Sequence, residues 1–132
     1  MTPARREPRW LTPEDALALH DEQISRFGGG TGMLKPDALE AVLARPQNIF
    51  AYDRSADLAT YAAVYLVGLV NGHAFVDGNK RLGLAAMLVF LRLNGSGLHV
   101  PPADLYELVL GVATSRIREA AAAEWLRSRT LA

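Results

Sequence analysis

From Asp57 to Leu93 the chain carries two helix-forming segments that are apolar on nearly every face, with a polar loop between them. The first runs from about Asp57 to Gly72 and sets Leu58, Tyr61, Tyr65 and Leu69 on one stripe, while Val64, Leu66, Val67 and Val70 fill the others. The second, from Gly78 to about Leu93, does the same with Leu82, Leu84, Ala85, Leu88, Val89 and Leu91. A helix apolar all round must be buried by its neighbours. Two such helices joined by a short loop predict a central hairpin that the rest of the chain wraps. The runs Ala62–Val70 and Leu82–Leu91 are each only about half of the ~20 residues that a membrane span needs, so the hairpin is expected inside a globular domain.

The flanking sequence supplies more helices. Thr12-Pro13-Glu14-Asp15 reads as a helix start, with a hydroxyl cap, proline at the first position and acids in the first turn. That helix is expected to bury Leu17, Ile24 and Phe27, with His20 on the same face, and to stop at Gly28; Gly28–Gly32 then forms a flexible loop. A short helix from Pro36 shows Leu39, Val42 and Leu43, and Pro46 is expected to end it, leaving 47–55 irregular. After a turn at Asn94–Gly97 and an extended Leu98-His99-Val100, a fifth helix carries Leu105, Leu108, Val109 and Val112. A sixth is expected to start near Ser115 and to carry Ile117, Ala121 and Trp125. The expectation is a compact all-α domain of about six helices over residues 1–132, with residues 1–10 poorly ordered.

Bulk properties narrow the chemistry. The 14 basic and 14 acidic residues cancel, so no broad electrostatic footprint for nucleic acid or an anionic membrane exists, and neither is expected as a direct partner. The absence of cysteine removes disulfides, thiolate nucleophiles and Cys-zinc sites. The basic first residues are not followed by an apolar stretch, so they do not resemble a signal peptide, and a cytoplasmic protein is expected.

The nine residues of the central loop, His73-Ala-Phe-Val-Asp-Gly-Asn-Lys-Arg81, concentrate the candidate chemistry. His73 has the side chain best suited to accept a proton near neutral pH. Asp77 can cap free amides or hold magnesium, which commonly takes one or two carboxylates and completes its shell with phosphate oxygens and water. Gly78 lets backbone approach a ligand, Asn79 can donate, and the following helix start offers free N–H groups. Lys80 and Arg81 then put two cations at the positive end of a helix, which costs about 0.3–1 kcal/mol each when exposed. A bound polyphosphate reverses that sign.

The pattern His73-x-Phe75-x-Asp77-Gly78-Asn79-Lys80-Arg81 resembles the signature of the Fic/Doc family, in its Doc (death-on-curing) toxin branch. Leu19-His20-Asp21 with Ile24, Phe27 and Gly28-Gly29, and the run Leu39–Gln47, resemble the same branch, so the likeness extends from about Leu11 to Gly95. The resemblance implies a nucleotide-dependent transferase acting on a protein hydroxyl. His73 would be the general base, Asp77 would bind Mg2+, and Gly78, Asn79 and Arg81 would hold phosphates. Family members that transfer AMP have a second glycine where Lys80 stands. In the Doc branch the lysine accompanies a reversed nucleotide, so that the γ-phosphoryl group of ATP is transferred and Lys80 joins His73 and Arg81 as a catalytic candidate. The implied protein is therefore a translation-arresting kinase toxin acting on elongation factor Tu, with AMP transfer or a catalytically silent binding module as alternatives.

The arginine that closes the Fic motif is absent, since Leu84 stands three residues after Arg81, and this also fits the Doc branch. Position 82 is Leu where many Doc sequences have Thr. Ser115-x-x-x-Glu119-Ala120 resembles the autoinhibitory motif of some family members, but Ala120 breaks its last position and a helix cap at Ser115 accounts for it better. The resemblance then implies silencing in trans by a Phd-type antitoxin whose segment folds into an apolar groove. His20 is expected to be a half-buried, hydrogen-bonded histidine, and the Gly28–Gly32 loop lacks the Lys-Ser/Thr ending of a phosphate loop.

Overall fold

The computed structural model describes residues 5–131, and within them six helices form an all-α domain. They are α1 (Pro13–Phe27), α2 (Pro36–Tyr52), α3 (Leu58–Gly72), α4 (Asn79–Leu93), α5 (Pro102–Ala113) and α6 (Glu119–Arg127). Two-residue strands β1 (Gly97–Leu98) and β2 (Thr130–Leu131) pair antiparallel and tie the chain's end to the turn after α4. Among the described residues no helix is long and apolar enough to cross a membrane.

The predicted hairpin is the core. α3 packs against α2, α4, α5 and α6, and Tyr61–Leu66, Leu69 and Val70 are all buried. Asp57 starts it with a reciprocal cap, accepting from Thr60 N–H at 3.0 Å while the Thr60 hydroxyl reaches back to the Asp57 N–H. The two hairpin helices approach closely at Gly83, where an added Cβ would lie 2.6 Å from Val70 Cγ2 and 3.1 Å from the Leu66 carbonyl. α4 buries Leu82, Ala86, Met87, Phe90 and Leu91 on one face and leaves Leu84, Ala85, Leu88 and Val89 half-covered on the other.

Four expectations need correction. Pro46 lies inside α2 and is buried there, so the helix runs on to Tyr52 instead of stopping. A proline inside a helix costs about 3 kcal/mol, through one lost backbone bond and the clash of its ring with the preceding turn. Burial of Leu43, Pro46 and Ile49 in the core keeps the helix going across that gap. The second correction is that α6 begins at Glu119, not Ser115. Ser115 instead takes a left-handed conformation (φ 62°) that ends α5, with Ser115 N–H bonded to Val112 O and Arg116 N–H to Gly111 O. On α1, Ala16 and His20 face inward, whereas Leu17 and Phe27 are exposed, Phe27 at 65%. Leu17 stands about 100° round the helix from Ala16, enough to leave the buried stripe.

The fourth concerns the segment before α1. Residues 5–10 are tied down, while residues 1–4 of the poorly ordered stretch expected from sequence lie outside the described residues. Trp10 packs on Phe50, Tyr61 and Phe90 with ring centroids 5.2–6.0 Å away. Asn94 brackets Arg9, accepting from its N–H at 2.8 Å and donating to its carbonyl at 3.1 Å. Arg5 lies over the Phe50 ring and donates to the carbonyls of Phe50 and Asp53. The buried Tyr65 hydroxyl accepts from Leu11 N–H, and burial pushes its pKa up to about 12.

Candidate active site

The polar loop leaves α3 at His73, which caps the helix in a left-handed conformation (φ 51°, ψ 43°) and is exposed. A non-glycine residue held there costs on the order of 1 kcal/mol. The strain is sustained because the next two residues, Ala74 and Phe75, are buried and anchor the turn. The chain then returns through Asp77 and Gly78 into α4, and Gly78 also has a positive φ of 80°. No side chain caps α4, so its first-turn amides stay open to a ligand.

His73, Asp77, Gly78, Asn79, Lys80 and Arg81 all line one cleft of about 260 Å³, whose other wall includes Val70, Asn71 and Ala113. The residues singled out from sequence are therefore brought together, but they do not all face the cleft with free groups. Asn79 turns its amide inward: Oδ1 accepts from Phe75 N–H at 3.2 Å and Nδ2 donates to Phe75 O at 3.0 Å. Arg81 is shared, donating to Gln23 O at 3.3 Å and standing 3.9 Å from Asp77 Oδ1. Lys80 is exposed at the lip between this cleft and a second, apolar one of about 310 Å³ lined by Leu84, Leu105, Tyr106 and Val109.

Asp77 is the most tightly specified group in the loop. Its Oδ1 accepts from Gly78 N–H at 2.7 Å and its Oδ2 from Gly30 N–H at 3.3 Å. These two amides, with Arg81 and Lys80 nearby, hold its carboxyl below the usual carboxylate range, so it is ionised at neutral pH. Among the described residues no cluster of three or more acidic or histidine side chains gathers as a ready-made cage. One oriented, ionised carboxylate beside an open cleft suits magnesium, which takes most of its shell from phosphate and water.

Two sets of contacts were not legible in the sequence, although the family resemblance implies that the glycine loop lies near the active site. The glycine loop lies along the motif loop as a strand-like flap: Leu34 and Lys35 N–H donate to Ala74 O, Val76 N–H donates to Gly32 O, and Met33 bridges to Phe75. His20 is hydrogen-bonded as expected but fully buried where half-burial was expected, and its partner is the main chain of Asp77. The adjacent glycines Gly28–Gly30 were the available signal, since repeated glycine permits backbone-to-backbone approach as well as flexibility.

Comparison with known proteins places the chain in a family. The model of the Fic/DOC family matches residues 10–91, which include the whole loop. The chain is 43% identical over 119 residues to "Protein kinase doc" of Escherichia phage P1, covering 90% of this chain and 94% of that one. It is 41% identical over 70 residues to "Toxin Doc" of Mycolicibacterium smegmatis, covering 52% of this chain and 54% of that one. With the family pattern spread over most of its length and its signature loop at the mouth of a cleft, the chain belongs to the Fic/Doc family.

Proposed function

We propose that this protein is a Doc-type toxin that transfers the γ-phosphoryl group of ATP to a serine or threonine hydroxyl of a translation factor, elongation factor Tu being the expected target. Lys80 carries this proposal. It adds a second cation to the first turn of α4, beside Arg81 and the uncapped helix amides, where an AMP-transferring relative would have glycine. A chain 43% identical over most of both lengths is named a protein kinase, which supports the same choice.

In this scheme the γ-phosphate lies toward Lys80, Arg81 and the α4 amides. His73 takes the proton from the target hydroxyl as its oxygen bonds to phosphorus, the bridging P–O bond breaks, and ADP leaves. Asp77 is the residue that would hold Mg2+, which supplies further neutralisation of phosphate charge when bound. Such transfer is mostly positioning and charge neutralisation, so the chain's own contributions are the base, two cations and the oriented amides. Gly78 supplies the left-handed turn that leads into those amides and leaves room beneath it for Ile24 and His20 of α1. Asn79, given its bonds to Phe75, acts through the loop's shape.

A translation factor as target requires the cytoplasm. It also requires a means of silencing, and the apolar cleft beyond Lys80, with the Phe27–Leu84–Leu88 groove on the far side of Arg81, suits a folding segment of a Phd-type antitoxin. Incubation with elongation factor Tu and either γ- or α-labelled ATP tests the chemistry. Label is expected only from the γ position; label only from the α position would mean AMP transfer. A His73→Ala protein as toxic as the parent would point instead to a silent binding module.

A further inference from the structure

His20 and the glycine loop take no chemical step, yet both hold Asp77. The His20 ring is 3% exposed and lies face to face with Phe75 at 3.8 Å and 14°. Its Nε2 is 2.7 Å from the Asp77 carbonyl oxygen. That oxygen can only accept, so the ring carries its hydrogen on Nε2 and donates. On the other side of the turn, a Cβ at Gly78 would come within 3.3 Å of the same nitrogen. The ring is thus wedged between Phe75 and Gly78, with Asp77 between them in sequence.

An exposed aspartate in a turn is otherwise free to rotate. Here its own turn holds Oδ1 through Gly78 N–H at 2.7 Å, the backbone is fixed from α1, and Oδ2 is fixed from the loop that follows α1, through Gly30 N–H. The loop comes so close that a Cβ at Gly29 would lie 2.6 Å from Asp77 Oδ2, at a φ of 124° that side chains rarely adopt. We propose that His20 is a positioning residue for Asp77, acting together with the Gly29–Gly30 backbone. The unit of α1 and its glycine loop sets the direction in which the Asp77 carboxylate faces the cleft. The inference deepens the proposed function, because it rests on Asp77 as the magnesium-holding residue. Partners that orient a metal-binding side chain are typically worth about 10–100-fold in affinity or activity.

The test compares His20→Gln, which keeps an N–H donor, with His20→Leu, which fills the space without one, and with Gly29→Ala, which lies in an exposed loop and leaves the core intact. Three readouts are taken on each full-length protein: Mn2+ affinity with ATP by paramagnetic resonance, the 13C carboxyl resonance of Asp77 without metal, and kcat and KM for ATP. His20→Leu and Gly29→Ala are expected to weaken Mn2+ binding about tenfold or more and to move the Asp77 resonance, with kcat falling further than KM rises. His20→Gln should recover most of each. Equal losses in the Gln and Leu proteins, in step with lowered melting temperatures, would make His20 a packing residue only. Should His20→Leu not fold, a Gly29→Ala protein with parental Mn2+ affinity and carboxyl resonance overturns the proposal by itself. A parent that binds Mn2+ through Asp77 but transfers no γ-label sinks the kinase assignment and leaves this inference standing.

Discussion

Replacing Asn79 by alanine separates two roles that its place in the motif leaves open. Its side chain closes a ring on Phe75 through bonds of 3.2 and 3.0 Å, both partly buried. Alanine leaves the Phe75 N–H and C=O without those partners. Two such bonds are worth about 1 kcal/mol each net, and more where the orphaned group stays buried. Alanine at the first position of α4 returns about 0.5 kcal/mol in helix propensity. The net expectation is a loss of about 1.5–2.5 kcal/mol. For a domain of this size that lowers Tm by roughly 5–10 °C. Because Phe75 stacks on His20 and leads into Asp77, the loosened loop should lower kcat while KM for ATP moves little. Asn79→Asp keeps the acceptor for Phe75 N–H but sets carboxylate oxygen against Phe75 C=O, so it should be at least as damaging. Thermal melts by circular dichroism and steady-state kinetics with γ-labelled ATP read both effects. An Asn79→Ala protein melting within about 1 °C of the parent, with KM for ATP raised several-fold, would refute the structural role and return the amide to the nucleotide.

Three further outcomes follow from other parts of the fold. His73→Gly should abolish transfer yet raise stability by about 0.5–1 kcal/mol, since glycine relieves the left-handed strain at φ 51°; a chemical melt no more stable than the parent would argue against that strain. Asp57, bonded to Arg127 and Thr60, has its pKa lowered to about 2, below its unfolded value. Its contribution is therefore present above about pH 4 and lost as pH falls toward 2. The shift corresponds to roughly 2.5 kcal/mol, which solvent screening of this half-exposed pair cuts to ~1 kcal/mol. Denaturant titrations should show the gap between the parent and Asp57→Asn closing over that window, and a gap constant with pH would count against it. Gly83→Ala meets Val70 and the Leu66 carbonyl, so it should cost about 1–3 kcal/mol despite its better helix propensity. At Gly68→Ala the nearest atoms belong to the Val42 side chain and no backbone is among them, so it should melt closer to the parent.

Much of the site was legible because its residues are contiguous. Nine residues in a row carry the candidate base, the carboxylate, the turn glycine and both cations, and the apolar helices on either side oblige them to meet at one end of a buried hairpin. What each group touches was less legible. Asn79 looks like a free donor in the motif, but its helical position puts it over the carbonyl and amide of Phe75. Pro46 and Ser115 misled for a shared reason. Local propensity marks them as a stop and a start, while burial of α2 against the core and the αL ending of α5 decided otherwise.

By itself the sequence determined the central hairpin, the all-α class and the identity of the chemical groups. Hydrophobic period and turn residues are local signals, and burial of two all-apolar helices admits few alternatives. Only the tertiary structure decided which of those groups stand free at the cleft and which are committed to holding it open. It placed His20, 57 residues before Asp77, under the turn, and it laid the glycine loop against the carboxylate. Contacts between distant segments depend on how whole helices pack, which no local pattern encodes.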